Sequence, residues 1–363
     1  MIYPKAIINL KNFAHNINYV QSLIGDSFVC PVIKSNAYGH GYEKISQTLN
    51  EIDVKCVGVA TIKELKQIIK LGFNFNVLHL GRISSSNIDF YSHKKIISTI
   101  NSIEDIEVIN SLYKGDNNIR CHLKIDTGMS RMGCSLENYE FLIKQIKRSN
   151  KITLEGIYTH LACSDNKNSD FNKIQLESFE KIIHNINDKS LNYHILNSGG
   201  VFNFYKYKFD FVRTGIALYG ISPLGQINSN LKPVMELKAP IVLIKTINPG
   251  ASIGYGCTYR AEKKMKIGIV QCGYADGIPL NFSNKGFVHF GNEHFPIVGK
   301  VSMDLISVDF TQSHSIKLMD EVTIWGGANE RSRLEFISKQ VDSIPYIFLT
   351  SLSDRVKRIY VEK

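Results

Sequence analysis

Lys34 follows an apolar run at 28–33 and precedes Ser35-Asn-Ala-Tyr-Gly-His-Gly41. A lysine at the end of a buried strand either snorkels to water or keeps its amine in an apolar setting, where desolvation lowers its pKa. An amine brought towards neutrality can condense with a carbonyl to form a Schiff base. The close turn beside the Tyr38 hydroxyl suits an anionic ring substituent. Other apolar runs end in similar chemistry. One contains Lys124 and leads into Asp126-Thr-Gly-Met-Ser-Arg131, one ends at His160, one at Asn197-Ser-Gly-Gly200, and one at Arg213 before Thr214-Gly-Ile-Ala217. The last two offer backbone N–H groups and a hydroxyl to a phosphate, although each alone also reads as an ordinary turn. Arg213 can pair with a carboxylate or donate to a ring nitrogen, and His160 can equally be a core histidine bonded to a carbonyl.

The elements that must position these groups alternate. Candidate strands lie at 28–33, 56–60, 75–80, 95–99, 119–125, 152–159, 192–196 and 209–212, each followed by a stretch that can be helical. Thr61-Ile-Lys-Glu64 has the spacing of a capping box, with Leu65, Ile68 and Ile69 then sharing a face. Tyr139, Leu142, Ile143 and Ile146 form a second stripe after Ser135, and Phe179, Ile182, Ile183 and Ile186 a third after Ser169. Eight such units predict an α/β fold, a (β/α)8 TIM-like barrel, with a doubly wound open sheet as the alternative. A barrel would carry its functional groups at the C-terminal ends of its strands, where the residues above fall.

Beyond about residue 225 short strands follow at 234–247, 266–271, 286–290, 294–301, 305–310 and 321–325, with one helical stripe near 333–341. The expected organisation is an N-terminal strand over 1–10 packing with the C-terminal domain, a barrel over 11–228 and a mainly β domain over 229–363. Ile221-Ser-Pro-Leu-Gly-Gln-Ile-Asn-Ser-Asn230 reads as the linker.

The 363 residues carry 43 basic and 33 acidic side chains, a formal charge of +10. The two signs are interspersed, with no arginine block among aromatics, so no nucleic-acid partner is expected. Seven cysteines, Cys30, Cys56, Cys121, Cys134, Cys163, Cys257 and Cys272, are odd in number and form no Cys-x-x-Cys pair. They read as reduced thiols, with neither a disulfide framework nor a metal site expected. The N-terminus has no signal-peptide pattern and no apolar run approaches the ~18 residues of a membrane span, so a cytoplasmic location without membrane attachment is expected.

The Lys34 segment, Lys124-Ile-Asp-Thr-Gly-Met-Ser-Arg-Met-Gly133, Gly156-Ile-Tyr-Thr-His160, Asn197-Ser-Gly199, Arg213-Thr-Gly-Ile-Ala-Leu-Tyr-Gly220, Gly254-Tyr-Gly256, Gly273-Tyr-Ala-Asp-Gly277 and Gly299-Lys-Val-Ser-Met-Asp304 together resemble the alanine racemase family. They recur in the family's order across essentially the whole chain. The resemblance implies a fold-type III enzyme using pyridoxal 5'-phosphate, with a barrel, a C-terminal β domain and a homodimer whose active sites are shared between subunits. It implies interconversion of L- and D-alanine by two bases, supplying D-alanine for peptidoglycan.

By this resemblance Lys34 matches the lysine that holds the cofactor, and Tyr255 the opposing tyrosine that a second subunit contributes. His160 matches the histidine bonded to that tyrosine, and Arg213 the arginine that bonds the histidine and donates to the pyridine nitrogen. Arg131 matches an arginine near the cofactor's phenolic oxygen and the substrate carboxylate, and Lys124 a lysine carbamylated in many members. Tyr38, Ser198, Gly215 and Ile216 match phosphate contacts, with Asn197 beside them. Met303 matches a contact to the substrate carboxylate that a second subunit makes through its backbone N–H, and Tyr274 a tyrosine at the entrance.

One departure is visible. Many members have Ser-Tyr-Arg near the chain end, where this sequence reads Ser353-Asp-Arg355, so entrance size and substrate selectivity are open at Asp354. A broader-specificity or serine racemase of the same fold is the alternative. A related decarboxylase is disfavoured by Arg213, where such enzymes carry glutamate. A cofactor carrier is disfavoured by the second domain.

Overall fold

The computed structural model describes residues 3–362. Met1, Ile2 and Lys363, at the ends of the expected 1–10 and 229–363 segments, lie outside the described residues. The chain divides into two compact units: Ile17–Ala37 with Tyr42–Leu218, and Tyr38–Gly41 with Tyr219 onward and the segment ending at Asn16. Strand β1 (Lys5–Asn9) belongs to the second of these, and helix α1 (Leu10–Ile24) follows it.

The first unit holds β2 (Phe28–Pro31), β3 (Cys56–Val59), β4 (Asn76–His79), β5 (Ile96–Ile100), β6 (Ile119–Lys124), β7 (Ile152–Tyr158), β8 (Asn192–His194) and β9 (Phe211–Thr214). Strands β3 to β8 form a six-stranded parallel sheet in sequence order, and β2 pairs in parallel with β9. At one seam the Ile33 N–H donates to the Gly58 carbonyl at 2.9 Å, and at the other the Arg213 N–H donates to that of Leu196 at 2.9 Å. The parallel sheet is thus curled, and the fold is α/β and barrel-like. Strands β3 and β5 are buried at every position, as strands covered on both faces must be. Cys30, Cys56, Leu78, Ile97 and Phe211 make one of its apolar clusters.

Around the sheet run α2 (Tyr42–Glu51), α3 (Ile62–Lys70), α4 (Ile103–Leu112), α5 (Tyr139–Arg148), α6 (Asp170–Ile186) and α7 (Ser198–Phe204). The Thr61–Glu64 capping box forms as its spacing predicts, and α3 buries Leu65 and Ile68, each worth about 1.5–3 kcal/mol of transfer free energy. Helix α5 buries Tyr139, Leu142, Ile143 and Ile146, although it starts at Tyr139 rather than at Ser135. Between β4 and β5 the chain makes only 3-10 turns, over Ser85–Ser92. On α6 the buried face includes Asn172 and Gln175 besides Leu176, Phe179 and Ile182, a polar addition that an apolar stripe does not reveal.

The second unit is mainly β. Its long strand β10 (Met235–Ile247) is followed by β11 (Ser252–Ile253), β12 (Tyr259–Arg260), β13 (Met265–Val270), β14 (Phe287–Phe290), β15 (Glu293–Pro296), β16 (Ile306–Asp309), β17 (Glu321–Gly326) and β18 (Lys357–Val361). Strand β1 lies between β10, antiparallel, and β18, parallel, with Ala6 opposite Leu237 and Arg358. Strand β15 ends at Pro296 rather than continuing to 301; past it the chain changes partner, with the Ile297 N–H donating to the Gly286 carbonyl and the Val298 N–H to that of Ser307, both at 2.9 Å. Helices α8 (Leu334–Gln340) and α9 (Pro345–Thr350) complete the unit.

The segment expected to be a linker, 221–230, is tied down instead. The Ser222 N–H donates to Glu335 Oε1 at 3.0 Å, while Arg333 donates to the Gly220 carbonyl at 2.7 Å and the Leu231 carbonyl at 3.2 Å. Arg333 and Glu335 are both buried and paired at 2.8 Å, so this compact unit takes in the chain from Tyr219. Among the described residues, no helix is long and apolar enough to cross a membrane, and no group of three or more metal-ligating side chains gathers.

Candidate active site

Past β2 the chain reaches Lys34 and then makes a left-handed turn. Ser35, Asn36 and Ala37 have φ of 53, 54 and 53°, and Tyr38 has φ of 52°. Four successive non-glycine residues in this region each cost about 1–2 kcal/mol, so surrounding bonds must hold them. The Ala37 N–H donates to the Ile33 carbonyl at 2.9 Å, and Asn36 Oδ1 accepts the Tyr42 N–H at 2.9 Å. The Ser35 N–H donates to Glu64 Oε1 at 2.6 Å, while Glu64 Oε2 accepts the N–H groups of Ala60 and Thr61 at 2.9 and 3.0 Å. One carboxylate therefore caps α3 and pins the turn that aims Lys34. Burial, then the positive charge of Arg131, lowers the Lys34 pKa, against a smaller opposing effect of Glu64.

Arg213, at the end of β9, is only 4% exposed. It donates to the Thr159 carbonyl at 2.6 Å, the Ile195 carbonyl at 3.3 Å, His160 Nδ1 at 3.4 Å and His194 Nδ1. A guanidinium has donors only, so each imidazole accepts at Nδ1 and carries its proton on Nε2. His194 Nε2 then donates to His122 Nδ1 at 2.8 Å. Burial, reinforced by nearby positive charge, holds all three rings neutral: His122 is pushed down to about 3, and His160 and His194 lie well below the usual histidine range. Burial also lowers Arg213 to about 10, which leaves it charged at neutral pH.

Tyr158 packs at the centre of this group. The His194 ring stacks on it at 4.7 Å, Arg213 lies over it at 4.8 Å and Lys124 Nζ at 5.7 Å. Lys124 is 7% exposed, and burial, Arg213 and Arg131 push its pKa down to about 8. The loop beyond it is shaped by Asp126, whose carboxylate accepts the N–H groups of Gly128 at 2.8 Å, Ser130 at 3.1 Å and Arg131 at 3.2 Å.

Asn197 caps α7 by accepting the Gly200 N–H at 3.0 Å, and also accepts from Ser164 Oγ at 2.6 Å. Its amide nitrogen donates to the Leu161 carbonyl at 3.2 Å and lies 3.4 Å from His160 Nε2. Two N–H groups cannot bond each other, so the His160 Nε2–H is left to an incoming acceptor. Ser198 Oγ accepts the N–H of Gly215 at 3.0 Å, joining the turns after β8 and β9. Gly199 is required there, because a Cβ would stand 2.7 Å from Ser164 Oγ.

In the second unit, Tyr255 opens the short turn between β11 and β12 and is 72% exposed. Tyr274 and Met303 lie on two loops bonded to each other, through Tyr274 N–H to the Ser302 carbonyl and Ala275 N–H to that of Met303, both at 3.0 Å. Arg355 braces the pair, 3.3 Å from buried Asp276 and 2.6 Å from Asp304. Asp354 faces solvent, 4.0 Å from Arg358. The Tyr38 ring packs against Tyr219 at 4.8 Å and Tyr346 at 6.1 Å, and burial raises its pKa, so its hydroxyl keeps its proton.

The first unit thus gathers Lys34, Lys124, Arg131, His160, Asn197, Ser198, Arg213, Gly215 and Ile216, while Tyr38, Tyr255, Tyr274 and Met303 belong to the second. Sequence reasoning missed Tyr158, His122 and His194. A signal existed for His122: it alternates with Lys124 on β6, so both side chains face one side of the strand. Gly156 belongs with it, because a Cβ there would stand 2.9 Å from the His122 ring.

A lysine amine of lowered pKa, a charged buried arginine, a neutral imidazole with a proton to offer and a hydroxyl-and-amide cradle, on the C-terminal side of parallel strands, define a barrel enzyme equipped for proton transfer beside an anionic ligand. Residues 8–223 match the alanine racemase N-terminal domain, and residues 234–360 its C-terminal domain. The alanine racemases of Coxiella burnetii (strain RSA 331) and Halothermothrix orenii are each 32% identical, over 99% of this chain and 99% and 97% of theirs. The structure of Bartonella henselae alanine racemase with covalently bound pyridoxal phosphate superposes with a TM-score of 0.92 at 31% identity, over 99% of this chain and 100% of that one. That of Clostridium difficile gives 0.91 at 31%, over 100% and 97%. The chain belongs to the alanine racemase family, the pyridoxal-phosphate-dependent amino-acid racemases.

Proposed function

We propose that this chain interconverts L- and D-alanine with pyridoxal 5'-phosphate held at Lys34, in a two-base reaction completed between two copies of the chain. The residues fit the cofactor. Lys34 has an amine of lowered pKa, Ser198 and Gly215 form a joined hydroxyl-and-amide turn for the phosphate, and Arg213 keeps its charge without a carboxylate beside it in its bonding set. By the family resemblance Tyr38, Ile216 and Asn197 are assigned to the phosphate as well, and the curled parallel strands are read as a closed eight-stranded barrel.

The bound cofactor supplies an electron sink that acidifies the α-C–H of the amino acid. Lys34 removes or returns the α-proton on one face, and Tyr255 of the partner subunit does so on the other. A phenol titrates near 10 in water, so a phenolate needs a donor. His160 provides it: Arg213 occupies Nδ1, which leaves the Nε2–H as the donor offered to that phenol. Arg213, which stays charged, would leave the pyridine nitrogen unprotonated and so restrain side reactions. That Arg213–His160 contact is the observation that carries this reading.

Arg131 and the backbone N–H of Met303 of the partner subunit hold the substrate carboxylate, and Tyr274 lines the entrance. Lys124, with a pKa of about 8, presents enough neutral amine at physiological pH to take up carbon dioxide; the new N–C bond releases one proton and leaves an anionic carbamate facing Arg131. The enzyme works in the cytoplasm as a homodimer and feeds D-alanine to peptidoglycan. A broader or serine-accepting racemase is the second reading, favoured by Asp354, which faces solvent where many relatives place a tyrosine.

The test is racemisation of both enantiomers together with the visible spectrum, for wild type, Lys34→Ala and Tyr255→Phe. Loss of the cofactor chromophore in Lys34→Ala, and strongly enantiomer-dependent α-proton exchange in Tyr255→Phe, are expected. Unchanged turnover in both variants would contradict the assignment, and serine turning over as fast as alanine would favour the second reading.

A further inference from the structure

Helix α6 turns two amides, Asn172 and Gln175, towards the loop after β7, and neither belongs to the reaction described above. Gln175 is fully buried. A buried primary amide must satisfy one acceptor and two donors, and a helix face needing only contact would have taken leucine. Gln175 Oε1 accepts the Ala162 N–H at 2.9 Å, and its Nε2 donates to the His160 carbonyl at 3.0 Å and to Thr127 Oγ1 at 3.0 Å. Thr127 Oγ1 in turn bonds Thr159 Oγ1 at 2.8 Å. Three residues earlier, Asn172 Nδ2 donates to the Cys163 carbonyl at 3.0 Å and the Asn166 carbonyl at 2.8 Å, holding the next part of the same loop. Residues three apart share a helix face, so both amides are spent on the loop after β7.

We propose that Gln175 is a positioning residue for racemisation: its single amide fixes the backbone of His160 and clips it to the Thr127 loop that carries Arg131. The proposal rests on the proton-transfer role assigned to His160. The His160 ring accepts from Arg213 at 3.4 Å, at the outer limit of a hydrogen bond, so a small shift of its backbone breaks this contact. Losing the clip should therefore disturb the face served by Tyr255 of the partner subunit and spare the face served by Lys34. Glutamate at 175 preserves the shape and the contact that accepts the Ala162 N–H, but while ionised it cannot donate to the His160 carbonyl or to Thr127 Oγ1.

The experiment uses the cofactor-loaded enzyme and compares wild type with Gln175→Glu and with Thr127→Val, which removes one partner of the clip without adding charge. Racemisation and α-proton exchange with solvent deuterium are followed from each enantiomer, with the cofactor spectrum as the occupancy readout. Racemisation is expected to fall about tenfold or more in Gln175→Glu, as for outer partners of other active-site groups. The enantiomer deprotonated by Lys34 keeps exchanging, so its ratio of exchange to racemisation rises, and Thr127→Val shows the same asymmetry more weakly. Equal loss of exchange and racemisation from both enantiomers, or wild-type rates in both variants, would overturn the proposal. A wild-type enzyme with no chromophore or no racemisation would instead overturn the underlying function. If Gln175→Glu fails to fold, the asymmetry in Thr127→Val decides alone.

Discussion

Lys124 shows how one side chain ties stability to chemistry. Its pKa of about 8 lies below the ordinary 10.5. Below pH 8 both folded and unfolded chains carry the proton, and the folded state bears the full cost of burying the charge. Between pH 8 and 10.5 the unfolded chain binds more protons, so stability rises with pH. In buffer free of carbon dioxide, thermal melts of wild type should gain on Lys124→Met across this window, by a total on the order of 3 kcal/mol. A gap that stays flat from pH 7 to about 10.5 would refute the shift. In bicarbonate, intact-protein mass should increase by one carbon dioxide in wild type alone. Lys34, Lys124, His160 and Arg213 were legible as polar residues at the ends of apolar runs, and Arg131 from the loop that follows one of them. His194 was not, because an imidazole inside a strand looks the same whether it bonds a carbonyl or a second imidazole, and His122 was marked only by sharing a face with Lys124.

Glu64 carries the argument at the level of elements, since one carboxylate serves both the cap of α3 and the left-handed turn after Lys34. Glu64→Ala should cost about 1–2 kcal/mol in urea melts, as cap losses do, and also weaken cofactor retention during dialysis. Stability loss with unchanged retention would separate the two roles. Thr61 and Glu64 announced the cap by spacing, but Ser35-Asn-Ala-Tyr38 contains no glycine to announce four left-handed residues. Strand β18 was missed for a similar reason: each of Arg358 to Val361 is half-buried, so no alternation marks a face. In the second unit, Arg355 braces the loops of Tyr274 and Met303 through Asp276 and Asp304. Arg355→Ala should raise KM for alanine more than it lowers kcat; a loss confined to kcat would place Arg355 in the chemical step instead.

For the whole molecule, the assigned groups divide between two units, and the base proposed for the second face, Tyr255, is largely exposed on its own chain. Residue patterns revealed the parallel strands and the β-rich C-terminal part, whereas the proposed pairing of subunits rests on family resemblance alone. Short loops such as those bearing Tyr255 and Met303 have no periodicity from which a partner surface can be read. A site shared between two copies, as proposed, makes a direct demand on the assembly. In a mixed dimer of Lys34→Ala and Tyr255→Phe chains, one site holds both defects and the other holds an intact Lys34 opposite an intact Tyr255. Two inactive homodimers, unfolded and refolded together with cofactor, should therefore recover about a quarter of wild-type racemisation, half the dimers being mixed and half their sites intact. Native mass spectra showing mixed dimers with no recovered activity would contradict a site built from two copies of this chain.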